Sequence, residues 1–109
     1  MKIFISGPYT NPDPVINTRN AVLAAEKIIK KGHLPFIPHL NHLWHLVSPH
    51  DIDYWYAYDL NWLDVCDAVL RLPGDSPGAD SEVEYAISKK KRIFYDIRKL
   101  PRISTNKKN

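Results

Sequence analysis

Lys2-Ile3-Phe4-Ile5-Ser6-Gly7-Pro8-Tyr9-Thr10 opens the chain with a run of β-forming residues that breaks on a glycine and a proline. Such a run predicts a short buried strand stopped by a turn, which continues through Asn11-Pro12-Asp13-Pro14. Beyond it, Val15, Thr18, Val22, Ala25 and Ile29, with Ala21, Ala24 and Ile28 beside them, follow the spacing of an amphipathic helix. Gly32 is its expected C-cap. Leu34-Pro35-Phe36-Ile37-Pro38 reads as a second strand, confined by its prolines to a sheet edge. Strand, helix, strand is the start of a parallel α/β unit.

The rest of the chain repeats the alternation. Residues 39–53 show no clear period and are expected to form a long loop with a short helical piece. Trp55, Tyr58, Trp62, Leu63 and Cys66 share one helical face, which predicts a second long helix. Asp67 to Leu72 reads as the third strand and Pro73 to Gly78 as a tight loop. A third long helix starts at Pro77 or at Ser81; Ser81-Glu82-Val83-Glu84 is a capping-box pattern, and Ser76 before Pro77 is the competing N-cap. Arg92 to Ile97 supplies a fourth strand. The sum predicts an α/β fold: a flavodoxin-like or Rossmann-like three-layer sandwich on a mostly parallel sheet of four or five strands.

At 109 residues the chain has the length of one domain. That domain is expected over residues 1–98, followed by a basic, flexible tail over 99–109. Residues 1–88 hold six Lys/Arg against eleven Asp/Glu, while residues 89–109 hold nine against one. The basic end suits a helix C-terminus and a solvated tail better than a nucleic-acid surface. No apolar run approaches the roughly 18 residues that span a bilayer, so a cytoplasmic protein with no membrane partner is expected. Cys66 stands alone, which excludes an intramolecular disulfide.

Ligands of open parallel sheets bind beyond the carboxyl ends of the strands. That rule selects the Gly7 to Thr10 loop, the segment after Pro38 and the stretch from Gly74 to Glu82. Neither Gly-x-Gly-x-x-Gly nor the Walker pattern occurs, so no dinucleotide cofactor is expected. A carboxylate in the first turn of a helix is held ionised by unpaired amides, which would make Glu82 a charged nucleophile or hydrogen-bond acceptor. His39, His42 and His45 have a spacing that can share an ion on a helix. The apolar Leu40, Leu43, Trp44 and Leu46 among them point instead to a partly buried lid whose imidazoles pair with carbonyls or substrate, and no metal is expected.

Taken as a set, Phe4-Ile5-Ser6-Gly7-Pro8-Tyr9, Asp59-Leu60-Asn61-Trp62-Leu63, Cys66-Asp67-Ala68-Val69 and Ser76-x-Gly78-x-x-x-Glu82-x-x-x-Ala86 resemble the nucleoside 2-deoxyribosyltransferase superfamily. That superfamily includes deoxyribonucleoside 5′-monophosphate N-glycosidases and small bacterial and phage relatives. The resemblance covers about residues 2–97. It implies cleavage of the bond between C1′ of a (deoxy)ribose and a nucleobase, with the carboxylate matching Glu82 attacking C1′. The covalent glycosyl-enzyme is then resolved by another base or by water. Asp59 is the candidate acid for the leaving base. Trp55 and Trp62, one turn to either side, would shield it or stack on the base, and Trp62 is the substrate-binding candidate of the two. Gly7, Tyr9, Ser76 and Gly78 are the further substrate-binding candidates. Where the monophosphate glycosidases carry Ser and Arg after the first-strand glycine, this chain has Pro8-Tyr9-Thr10, which leaves a 5′-phosphate requirement open. The implied partners are a nucleoside or nucleotide and a second copy of the chain in a homodimer or larger homo-oligomer, with no cofactor. The alternative is a catalytically silent nucleotide-binding module, a sensor or a phage accessory protein.

Overall fold

A computed structural model describes residues 1–103. The elements are β1 (Lys2–Ser6), α1 (Pro14–Lys30), β2 (Leu34–Phe36), α2 (Asn41–Val47), α3 (Ile52–Val65), β3 (Ala68–Arg71), α4 (Pro77–Ser88) and β4 (Arg92–Phe94). One 3-10 turn (Pro38–Leu40) leads into α2 and another (Ile97–Lys99) follows β4. The four strands form one sheet in the order β2-β1-β3-β4, with every pair parallel. The expected α/β sandwich is therefore formed with four strands, and β2 is the edge strand its prolines predicted.

Strand alternation divides the core in two. Ile3 and Ile5 of β1, with Ala68 and Leu70 of β3, pack under Ala21, Ala25 and Ile28 of α1. Phe4 and Val69 point the other way and pack with Leu63 and Cys66 from the end of α3 and with Val83 and Ala86 of α4. Ser6 and Arg71 are register partners at the carboxyl ends of β1 and β3. By the same alternation both turn towards α4, where Ser6 reaches Glu82 and Arg71 reaches Asp80. The register that buries Phe4 thus also places a serine under Glu82.

Helix ends follow the local chemistry. Asp13 caps α1 by accepting from the amides of Val15 (2.8 Å) and Ile16 (3.2 Å). Gly32, at φ +92°, takes the left-handed conformation that lets the chain leave that helix. For α4 the N-cap is Ser76, whose Oγ accepts from Ala79 N at 3.1 Å, with Pro77 at the first helical position. The capping box at Ser81 is not used. The expected short helical piece within residues 39–53 is α2, and with the 3-10 turn before it and α3 starting at Ile52 little of that stretch is loop. No residue of α2 is buried, so its apolar side chains mark no core-facing stripe, which is why its period is invisible in the sequence.

The packed part of the chain runs past the expected boundary at residue 98. Leu100 is buried in the α1 core, the Pro101 carbonyl meets His33 Nε2 at 2.6 Å, and Ile103 N donates to Lys31 O at 2.8 Å. Residues 104–109, the remainder of the expected tail, lie outside the described residues. Among the described residues no helix is long and apolar enough to cross a membrane.

Candidate functional site

Between the carboxyl ends of β1 and β3, where the strand order reverses, lies a cavity of about 730 Å³ on the α3 and α4 side of the sheet. Two loops touch to form its floor. A Cβ on Gly7 would lie 2.9 Å from Leu72 Cβ, and Gly74, at φ +114°, would meet the Pro8 ring at 2.8 Å. Only glycine allows the β1 and β3 loops to approach this closely. Asn17 Nδ2 braces the first loop by donating to the carbonyls of Tyr9 and Asn11, both at 2.9 Å.

Glu82 lines the cavity from α4. Its Oε1 lies 2.7 Å from Ser6 Oγ, and that hydroxyl also lies 3.3 Å from the Ala79 carbonyl. With one proton to give, Ser6 donates to Glu82 when the carboxylate is ionised and can turn to Ala79 when Glu82 is protonated. The expectation of a carboxylate held ionised by its position in a first helical turn is corrected here. The helix begins at Pro77, so Glu82 is the sixth residue, in the second turn, beyond the free amides. Burial raises its pKa to about 7, against the opposing pull of Ser6 and of the Arg71 guanidinium, and nearby Asp59 adds to the rise.

Asp59 faces the same cavity from α3. Burial raises it to about 7 as well, while the side-chain amide of Asn41, donating to Oδ1 at 2.8 Å, opposes the shift. Both groups therefore titrate near neutrality, where one can be ionised while the other is protonated. That is the arrangement needed by chemistry that uses one carboxylate and one carboxylic acid together.

Gly7, Tyr9, Ser76 and Gly78 also line the cavity. An added Cβ at Gly78 would meet only Ser76 Oγ, at 4.0 Å, so the backbone there opens onto the cavity. Tyr9 lies against the rings of His39 and His42, and burial raises its hydroxyl pKa. Trp62 is not part of the cavity, which corrects its expected role. It sits nearly one turn beyond Asp59 towards the bottom of the sheet, stacked on Phe36 of β2 with ring centroids 5.3 Å apart. Trp55, one turn nearer the strands' carboxyl ends, lines the cavity instead.

Four histidines contribute to the lining: His39, His42, His45 and His50. His39 is buried, and its Nε2 lies 3.0 Å from the Pro8 carbonyl, which ties the lid segment to the β1 loop. Because that carbonyl only accepts, His39 Nδ1 is a bare acceptor, and it has no partner among the described residues. Neither this contact nor the Asn41 bond to Asp59 was singled out from sequence, since both join segments far apart in the chain. Among the described residues no lysine or arginine lines the cavity, and no group of three or more His, Cys, Asp or Glu is arranged to hold a metal ion.

A family model described as "Domain of unknown function (DUF4406)" matches residues 1–95. No curated protein matches the chain. Among solved structures, the fold is similar to that of a 2-desoxiribosyltransferase from Leishmania mexicana, with a TM-score of 0.64 and 20% identity over 84% of this chain. The chain spans 61% of that enzyme's length. The likeness lies in the fold, the parallel sheet flanked by helices. The chain belongs to the family described as Domain of unknown function (DUF4406), a relative of the nucleoside 2-deoxyribosyltransferase-like family.

Proposed function

We propose that the chain cleaves the N-glycosidic bond of a (deoxy)nucleoside or its 5′-monophosphate through a covalent glycosyl-Glu82 intermediate. The observation that carries this reading is the pair of carboxyl groups, Glu82 and Asp59, half-buried at one cavity and both raised to about 7. In the productive state Glu82 is ionised and Asp59 protonated. The Glu82 carboxylate attacks C1′ as the bond from C1′ to the base nitrogen breaks; the electron pair goes to that nitrogen, which takes the Asp59 proton. In the second half, water or another base gives a proton to Asp59 and attacks C1′, releasing Glu82. Ser6 holds the attacking carboxylate and Asn41 holds the acid. The similarity to a 2-desoxiribosyltransferase supports this class of chemistry.

Incubation with deoxynucleosides and their 5′-monophosphates, with and without a free acceptor base, tests the proposal and separates transfer from hydrolysis. A deoxyribosyl adduct on the Glu82 peptide by mass spectrometry is the expected signature. Base release by Glu82→Ala at the wild-type rate excludes the mechanism, and nucleoside binding with no base release marks the silent module instead.

We further propose self-association through the α2 and α3 rim. Support comes from its exposed apolar side chains, Leu43 (65%), Val47 (87%) and Ile52 (78%). Light scattering that finds only monomer at micromolar concentration refutes it.

A further inference from the structure

The cavity includes an aromatic wall where α2 meets α3, and one residue of that wall has a defined tautomer. Trp55 Nε1 lies 2.9 Å from His45 Nδ1, and the His50 backbone amide lies 3.2 Å from the same nitrogen. An indole N–H and a peptide N–H can only donate, so His45 Nδ1 must accept and the ring proton sits on Nε2. Among the described residues His45 Nε2 makes no hydrogen bond to protein, and His45 lines the cavity. The ring is held in place by the Trp55 face it meets nearly edge-on, at 6.1 Å and 71°. Flat side chains, Tyr9, His42 and Trp55, complete the wall around it.

Resting on the glycosidic reading above and going beyond it to the recognition of the leaving group, we propose that His45 is the base-specificity residue. Locked by Trp55 as the Nε2–H tautomer, it offers a fixed donor to an acceptor atom, a ring nitrogen or carbonyl oxygen, on a planar heteroaromatic base. Trp55 is the positioning residue: it touches the base with its ring and sets the tautomer with its N–H. His39 spends the same Nε2–H on the Pro8 carbonyl, whereas the free donor of His45 is fixed on Nε2 by the two N–H groups that Nδ1 accepts. A hydrogen bond of this kind is worth about five- to tenfold in affinity.

Long-range proton–nitrogen NMR on the wild-type protein reads the tautomer directly, and calorimetric titration with adenine, hypoxanthine, cytosine and thymine reads recognition. Expected are an unprotonated His45 Nδ1 and a protonated Nε2. The tightest-binding base should lose about five- to tenfold affinity in His45→Ala and regain most of it in His45→Gln, which restores a donor. Trp55→Phe should let a population with Nδ1–H appear. A wild-type Nδ1–H signal overturns the proposal, as does a base that binds His45→Ala as tightly as wild type. In that last case the glycosidic reading survives, as it does if no free base binds the wild-type protein, which overturns the base-specificity proposal alone. Base release by Glu82→Ala at the wild-type rate overturns the glycosidic reading on which it rests.

Discussion

The two walls of the cavity are built by different physics. Glu82 stands on a wall made by the sheet: β1 and β3 are buried and register-paired, their loops interlock through Gly7 and Gly74, and Ser6 and Arg71 project from that register onto α4. Asp59 stands on a wall made by α2 and α3. There α2 buries nothing, has no side-chain cap, and is joined to the site by the Asn41 bond and by ring contacts such as Trp44 with Trp55. A carboxyl held by strand register is fixed as firmly as the core itself. One braced by a short helix and partly exposed rings has fewer buried contacts resisting adjustment when a ligand enters.

The largest effect should come from the rigid wall. Glu82→Gln keeps the shape and removes the charge, so turnover should fall by about a thousandfold or more, while stability changes in the opposite sense. A carboxyl raised from 4.5 to about 7 stabilises the fold fully only below its unfolded pKa. That contribution is lost as pH rises through about 7. At pH 8 the glutamine variant should therefore be more stable than wild type by about 3 kcal/mol, with the gap closing towards pH 4.5; denaturant titration at both pH values checks this. A gap that is the same at both would show that Glu82 is not desolvated.

Next comes Gly7→Ala, which forces a Cβ against Leu72 Cβ at 2.9 Å. It should cost about 1–3 kcal/mol, and Leu72→Ala should not relieve it because the clash is with the Cβ that alanine keeps. Thermal denaturation of the single and double variants decides. Ser76→Ala removes the α4 cap and should cost about 1 kcal/mol, while Ser81→Ala should cost close to nothing; the reverse order would restore the helix start at Ser81.

On the adjustable wall the effects should be smaller. Asn41→Ala withdraws the donor that favours ionised Asp59, so the acid's pKa rises further above 7. The alkaline limb of the pH–rate profile should move to higher pH with the acid limb nearly unchanged. An unchanged alkaline limb would separate Asn41 from Asp59 in solution. Trp62→Phe, outside the cavity, should leave KM near the wild-type value, which steady-state kinetics would measure.

These two walls also differ in how far they were legible. The β1 run, the α1 stripe and the strand at Ala68 announce themselves because burial imposes a period on the residues, and the two carboxyl candidates, Glu82 and Asp59, line one cavity. The second wall carries little such imprint. Its helix Asn41–Val47 leaves Leu43, Leu46 and Val47 exposed, so apolar residues there do not mark a buried face. Trp55 and Trp62 lie seven residues apart on nearly the same face, and only the direction of α3 against the sheet decides which one reaches the cavity. The state of Glu82 was misread for a similar reason: two plausible caps stood five residues apart, and the charge of the carboxyl depended on which one the chain used.

Ser6 and Phe4 share one strand and one side of it. Sliding β1 by a single residue would expel the phenylalanine from the interior and swing the serine away from Glu82 in the same motion. The placement of the Glu82 carboxyl is thus inherited with foldability itself, and descendants of such a chain could remodel the helical rim while selection for mere folding keeps that carboxyl where it is.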